Sequence, residues 1–308
     1  MTKSFLKWVG GKSKLIEQYQ PYFPQQFETY YEPFLGGGSV FFYLKQLYPT
    51  MRAALSDSNE HLVNLYCYVR DYPEILIQLL DEHQFNHHQN PADYYYKIRE
   101  EFRSTPKHWE AKRAAQFLYL NKTCYNGLYR ENQKGQFNVP IGRYKNPRIC
   151  DTETLRLASQ LLQGVRIEVA RFDRVLDLAN DSKDFVYFDP PYHPISPTSN
   201  FAEYSQYGFK EAEQIELRDT FAELMQRGVK LMLSNSKCDF IEQLYKDDRV
   251  FSACPKLIDI SASRNVNSEA SKRGKIKEYL VIAEENNKVV VRYTMECFQK
   301  KLGTYRPV

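Results

Sequence analysis

A chain of 308 residues, 43% of them hydrophobic, is long enough for one large domain or for a domain carrying an insert. It contains no apolar run approaching a membrane span and no charged-then-apolar leader, so a cytoplasmic protein without membrane contact is expected. Its six scattered cysteines include no Cys-x-x-Cys pair, which argues against a disulfide framework and a zinc site, and a net charge of +4 says little until its distribution is read.

Near the start, "GGKSK" resembles the end of a phosphate-binding loop. That loop needs another glycine five residues before its Gly-Lys pair; here the position is Leu6, and bulky Trp8 and Val9 fill the interval. Such a segment cannot wrap a polyphosphate, so Trp8, Gly10, Gly11 and Lys12 require another role. From about 29 to 58 the pattern reads strand, glycine turn, helix, strand ("TYYEPF", "LGGG", "SVFFYLKQLY", "RAALSD"). Missing side chains at Gly36, Gly37 and Gly38 would let a ligand approach the backbone at a helix N-terminus. Asp57 follows Gly38 by nineteen residues, at the end of the next strand, where a carboxylate can accept both hydroxyls of a ribose. A plain glycine turn with an N-capping Asp is the alternative, and the combined spacing favours the cofactor reading. Phe41 stands where the last Gly of a dinucleotide fingerprint would fall.

Residues 60–120 read as helices, with apolar groups at three- and four-residue intervals and Pro near helix starts. His83 and His87 have i, i+4 spacing, but no Glu or Cys is suitably placed beside them, so a solvated helix end is expected rather than a metal site. Residues 121–150 then carry six Lys/Arg against one acid, interleaved with amides and aromatics, around a hairpin or long loop at Lys134-Gly135. A second basic stretch, 264–277, carries five against one. Two solvated loops are the bland reading. Phosphate contacts from the cations, with amides and rings on the bases, favour a nucleic-acid partner. A helix, "TETLRLASQLLQG", closes at Gly164, and strands resume at "VRIEVARF", "DFVYFDPPY", "VKLMLSNS" and "KEYLVIAE", with "KVVVRYTM" as a final antiparallel edge. These are short and apolar, as in a sheet buried on both faces. The expected fold is α/β: a doubly wound sheet from residues 1–58 and 165–308, interrupted by a helical insert over 59–164 that carries the hairpin.

"FVYFDPPYHP" concentrates the chemistry. Four apolar residues deliver Asp189 to the carboxyl end of a central strand, where open α/β sheets bind ligands. Pro190 and Pro191 stiffen the backbone and Tyr192 offers a flat face. Methylating an exocyclic amine on an aromatic ring needs a lone pair that the ring delocalises. A carboxylate accepting one N–H, with a fixed backbone carbonyl accepting the other, draws that nitrogen toward tetrahedral geometry while the base stacks on Tyr192. The stretch 193–208 that follows is long and aperiodic, as expected of a segment that orders over a flipped base and cofactor.

With "KWVGGK", "YEPFLGGGSVFF", "LSDSN", "YNGLYRENQKGQFNVPIGRYKNP", "FVYFDPPYHP" and "LSNS" in this order, the chain resembles the Dam-type DNA adenine-N6 methyltransferases almost end to end. The resemblance implies a Rossmann-like S-adenosylmethionine (SAM)-dependent methyltransferase sheet with an inserted target-recognition domain at 59–164. Catalysis then falls to Asp189, Pro190 and Tyr192. The SAM pocket is implied at Trp8, Gly11, Lys12, Phe34, Gly36, Gly38 and Asp189, with Glu32 toward the methionine ammonium group, Asp57 toward the ribose, and Phe172 stacking on the adenine. Arg171 departs from the acid of several relatives, which leaves Asp173 as the candidate contact to the cofactor's adenine amine.

In the hairpin the resemblance implies that Tyr125 intercalates, Asn126 supports the gap, and Leu128 and Pro140 touch thymine methyl groups. Arg130 and Lys7 would each read a guanine, and Lys134 would hold phosphate at the tip. The implied partner is double-stranded DNA at the palindrome GATC; a solitary methyltransferase and one paired with a restriction endonuclease for the same site both stay open. Two rival classes remain. An RNA or glutamine-side-chain methyltransferase more often has Asn before Pro-Pro-Tyr and lacks the basic hairpin. An inert DNA-binding relative would not need the intact Asp189–Tyr192 run.

Overall fold

The computed structural model describes residues 4–104, 109–195, 209–263 and 275–283. Seven strands form one sheet among these residues: β1 (Thr29–Glu32), β2 (Arg52–Asp57), β3 (Arg166–Val169), β4 (Asp184–Phe188), β5 (Lys230–Ser236), β6 (Lys256–Ser263) and β7 (Lys275–Ala283). Their order across the sheet is β3-β2-β1-β4-β5-β7-β6. All pairings are parallel except those of β7, which runs antiparallel to both β5 and β6. The chain winds outward from β1 through β2 to β3, then returns to place β4 on the other side of β1. That reversal opens a crevice at the carboxyl ends of β1 and β4, the usual ligand position in doubly wound sheets. The expected α/β doubly wound class is what the chain adopts.

Short helices α1 (Ile16–Tyr19) and α2 (Ser39–Leu47) are followed by α3 (Glu60–Asp71), α4 (Pro73–Gln89), α5 (Pro91–Ser104), α6 (Ala111–Thr123) and α7 (Thr152–Leu162). The second half supplies α8 (Glu211–Gln226) and α9 (Asp239–Tyr245). Local chemistry sets the boundaries. Asn59 caps α3 by accepting from the His61 and Leu62 amides, Pro73 opens α4, and the Glu213 carboxylate accepts from the Lys210 amide to cap α8. Gly228 ends that helix at φ +80°, where a side chain would be strained. No described helix is long and apolar enough to cross a membrane.

Two hydrophobic clusters cover the two faces of the sheet. One joins Phe5, Tyr19, Tyr30 and the α2 aromatics to buried residues of α3–α7, including Leu62, Tyr95, Leu118 and Leu155. The other packs Tyr31, Val186 and Leu231 against Phe172, Leu217, Phe221 and Tyr245. The central strand β4 is buried throughout, as its apolar run implies. At the edge, β3 differs: Arg166 is exposed and Val169 is 43% exposed, because an edge strand has no neighbour to cover it.

Several expectations meet a different structure. His83 and His87 are not solvated; they are buried, with Nδ1 atoms 2.8 and 3.0 Å from the Tyr94 and Tyr119 hydroxyls. Tyrosines from α5 and α6 supply the partners, which a reading of α4 alone cannot see. Strand β6 went unread because an edge strand with Lys256, Asp259 and Ser261 on it has no continuous apolar run. The expected strand "KVVVRYTM", the 196–208 part of the expected covering segment and the 264–274 part of the basic stretch lie outside the described residues.

Candidate functional site

At the crevice, the turn after β4 presents Asp189. Its Oδ2 accepts from Lys12 Nζ at 2.6 Å and its Oδ1 from Ser234 Oγ at 2.9 Å, with the Tyr187 hydroxyl 2.8 Å from that serine. Lys12 is buried and also donates to the Gly10 carbonyl at 2.6 Å, so an ammonium from the chain's first turn locks onto a carboxylate at the end of β4. A buried charge is tolerated because it is paired and hydrogen-bonded. The Tyr192 ring lies 5.0 Å from the same ammonium and its hydroxyl donates to Glu278 Oε2 at 2.8 Å. Behind this turn, Gln214 Nε2 donates to the Pro191 carbonyl at 2.9 Å. Asn235 ties the two flanks together, donating to Gln214 Oε1 and accepting from the His193 amide. The backbone from 189 to 193 is thus held by β5 and α8 rather than by its prolines alone.

Glu32 ends β1 beside Asp189. Its Oε2 accepts from the Tyr30 hydroxyl at 2.8 Å and from the Phe41 amide at 3.1 Å, at the N-terminal turn of α2. Burial pushes its carboxyl up to about 8, with those hydrogen bonds acting in the opposite direction. Asp57, at the end of β2, accepts from the Gly36 amide at 3.1 Å and the Asn59 amide at 2.9 Å, and burial raises its carboxyl too. The glycine turn between them is tightly occupied by the protein itself. A Cβ at Gly36 (φ +46°) would sit 2.7 Å from the Trp8 indole, and one at Gly38 (φ +61°) 2.7 Å from the Tyr66 hydroxyl. Close approach of protein atoms therefore accounts for these two glycines.

A second aromatic group lies next to the turn. Phe34 and Phe172 stack at 5.5 Å between centroids, and Phe209 meets both edge-on. Asp173 points to solvent and accepts from Arg171 Nε at 3.2 Å, while the Arg171 guanidinium also pairs with Glu216 and lies over the Phe172 ring.

The basic segment folds back on itself as a hairpin. Glu131 bridges Phe137 and Cys124 bridges Ile141, and the tip is closed by Asn132, whose Oδ1 accepts from the Lys134 and Gln136 amides. Its second arm is pinned to α5: the Val139 carbonyl accepts from Tyr95 and Arg99, and the Phe137 carbonyl from Arg103. Tyr125, Asn126 and Pro140 are exposed together at the base, where the Tyr125 amide donates to the Pro140 carbonyl at 2.9 Å. Asn126 adopts φ +54°, the one positive φ outside glycine among the described residues. Leu128 packs partly against the core, Arg130 Nε donates to Asn138 Oδ1 at 2.6 Å, and Lys134 is exposed at the tip.

Lys7 joins this base. Its amide donates to Asn121 Oδ1, its ammonium to the Lys122 carbonyl, and the ammonium lies 3.7 Å from the Tyr144 ring centroid. Trp8 connects the two halves of the site, stacking on Tyr129 of the hairpin while covering Gly36 of the turn. Trp8, Lys12, Glu32, Gly36, Asp57, Asp189 and Tyr192 therefore come together at the crevice, with Phe34, Phe172 and Asp173 beside them. Arg130 and Lys134 belong to the separate hairpin surface. Gln214 and Glu278 stand outside the motifs noted in the sequence, while Ser234 and Asn235 lie within "LSNS", which by itself gives them no role. Glu278 left a signal, a carboxylate inside the apolar strand "KEYLVIA".

A family model described as D12 class N6 adenine-specific DNA methyltransferase matches residues 8–265. The type II methyltransferase M.MjaIII of Methanocaldococcus jannaschii is 42% identical over 282 residues, covering 88% of this chain and 95% of the relative. M1.LlaDCHI, a type II methyltransferase of Lactococcus lactis subsp. cremoris, is 41% identical, with 91% and 94% covered. A DNA adenine methylase of Escherichia coli K12 is 33% identical, with 91% and 95% covered.

Proposed function

The chain belongs to the D12 class of N6 adenine-specific DNA methyltransferases, and on that premise we propose that it transfers the methyl group of SAM to adenine within GATC in double-stranded DNA. The observation that carries this reading is the Lys12–Asp189–Ser234 arrangement at the crevice, with Lys12 and Ser234 buried, Asp189 half-buried and Tyr192 beside it.

The donor set suits SAM. Glu32 is a buried carboxyl at the crevice whose ionisation costs free energy until a cation faces it, and a methionine ammonium supplies one. Asp57 is placed to meet the ribose hydroxyls and Phe34 and Phe172 the adenine, with Trp8, Gly11, Lys12, Gly36 and Gly38 framing the pocket and Asp173 at its rim. Bound SAM supplies an electrophilic methyl group.

The chain's own residues prepare the amine. Lys12 Nζ spans both Asp189 oxygens and Ser234 donates to Oδ1, which fixes the carboxylate plane; Oδ2, engaged by Lys12 alone, keeps a lone pair to accept an adenine N–H. Gln214 already engages the Pro191 carbonyl, so the second N–H is assigned to Pro190. With both hydrogens held, the amine nitrogen is drawn toward the tetrahedral geometry that attack requires. Reaching this site takes the base out of the helix, and Tyr192 provides the ring on which it stacks.

Residues 59–164 serve as the target-recognition domain. Tyr125 and Asn126 fill the gap left by the base, Arg130 and Lys7 read guanine, Leu128 and Pro140 meet thymine methyls, and Lys134 holds phosphate. Two relatives are named type II methyltransferases, in keeping with a restriction endonuclease for the same site as a companion in the cytoplasm. DNA from cells expressing the protein should resist an endonuclease that cuts only unmethylated GATC and be cut by one that requires N6-methylated GATC. Unchanged digestion by both would reject the proposed site.

A further inference from the structure

Glu278 is 8% exposed on β7, opposite Ser236 of β5, at the carboxyl edge of the sheet. Its neighbours on the same strand face, Leu280 and Ile282, belong to the cluster containing Tyr19 and Tyr187, while Tyr279 and Val281 belong to the other. An apolar residue would continue that face. A carboxyl there is costly unless its oxygens are used. One of them accepts the Tyr192 hydroxyl at 2.8 Å, and Lys12, which pairs with Asp189, also acts electrostatically on Glu278.

We propose that Glu278 is a positioning residue for the methyl transfer: by holding the Tyr192 hydroxyl it fixes the plane of the ring that receives the target adenine. The inference rests on the stacking role given to Tyr192 above. The backbone of Tyr192 is held by the Gln214–Asn235 network on one side, yet a ring anchored only at its backbone can still turn about its side-chain bonds. A second anchor at the far end of the ring removes that freedom, so the stacking surface is ready before the base arrives. Either protonation state of Glu278 retains an acceptor oxygen, and a glutamine in its place would as well.

Single-turnover methylation of a GATC duplex, measured beside SAM affinity, tests this in a cycle of variants. Tyr192→Phe keeps the ring and removes the hydroxyl; Glu278→Leu removes the acceptor. Each should slow transfer by about tenfold, the loss of one hydrogen bond to a carboxyl, with SAM affinity unchanged. Their combination should remain near tenfold because both remove the same contact. Glu278→Gln should lie within about threefold of the parent, since its amide oxygen still accepts. A combined loss near one hundredfold, a Gln variant as slow as Leu, or a Leu variant at the parent rate would overturn the proposal. If Glu278→Leu does not fold, Glu278→Gln in the Tyr192→Phe background replaces it, and there any added loss counts against the proposal. Tyr192→Ala at the parent rate would instead reject the stacking role itself.

Discussion

In the proposed mechanism Asp189 couples a structural ion pair to the reaction, so its removal has two expected signatures. Asp189→Ala should lower methyl transfer by about a thousandfold or more, because the acceptor for the adenine amine is gone. It also leaves the buried Lys12 ammonium without its carboxylate, which should cost about 3 kcal/mol of stability. Single-turnover rates and thermal melting separate the two; a rate within a few-fold of the parent would remove Asp189 from the chemistry. Glu32 yields a pH prediction. Its carboxyl is raised from 4.5 to about 8, so the free protein loses stability as pH rises through that interval, the unfolded chain having already ionised. Pairing with the methionine ammonium requires the ionised form. SAM affinity should therefore climb by up to tenfold per pH unit toward about 8, where the ligand's own α-amino group begins to discharge. Calorimetric titration should show proton release in this range, and Glu32→Gln should flatten the climb; an unchanged profile in that variant would clear Glu32 of the role. The motif residues were legible because strand-end and glycine-turn positions are fixed by local pattern. Glu278 was not, nor was the contact that Ser234 of "LSNS" makes, because both depend on which strands pair.

The glycine turn and the hairpin each depend on a few contacts. Gly38 caps α2 at φ +61°, and a methyl group there would meet the Tyr66 hydroxyl at 2.7 Å. Gly38→Ala should cost about 1–3 kcal/mol in chemical denaturation from backbone strain alone, with more from the clash; full stability would show that the turn relaxes easily. In the hairpin, Asn138 holds one side of the Arg130 guanidinium. Arg130→Ala should lose about 1–3 kcal/mol of discrimination at one GATC base pair, so sites altered there become comparatively better substrates. Lys134→Ala should weaken all sequences alike and flatten the salt dependence. Methylation of a panel of single-base variants distinguishes these, and a uniform loss from Arg130→Ala would leave it as a brace. Helix α3 was read to its boundaries because its cap and its apolar spacing agree. The burial of His83 and His87 was not legible, since their partners come from α5 and α6.

Across the molecule, the doubly wound class and the strand-end place of Asp189 were legible in alternating apolar runs and helical stretches, whereas the strand order was not, since β6 carries no continuous apolar run. Nor was the connection between the glycine turn and the hairpin, because Trp8 reaches both only after folding: it covers Gly36 and stacks on Tyr129. The crevice and the hairpin, proposed to carry chemistry and base reading, thus rest on one continuous hydrophobic cluster, which joins the α2 aromatics to Phe117 and Phe137. The most direct measurement is nucleoside mass spectrometry on a duplex holding a single GATC, after incubation of the purified protein with SAM. The expected result is one N6-methyladenine per strand, at the GATC adenine, with none on a matched duplex carrying GTTC and none after Asp189→Ala. Methylation on cytosine, or equal N6-methyladenine in both duplexes, would contradict it.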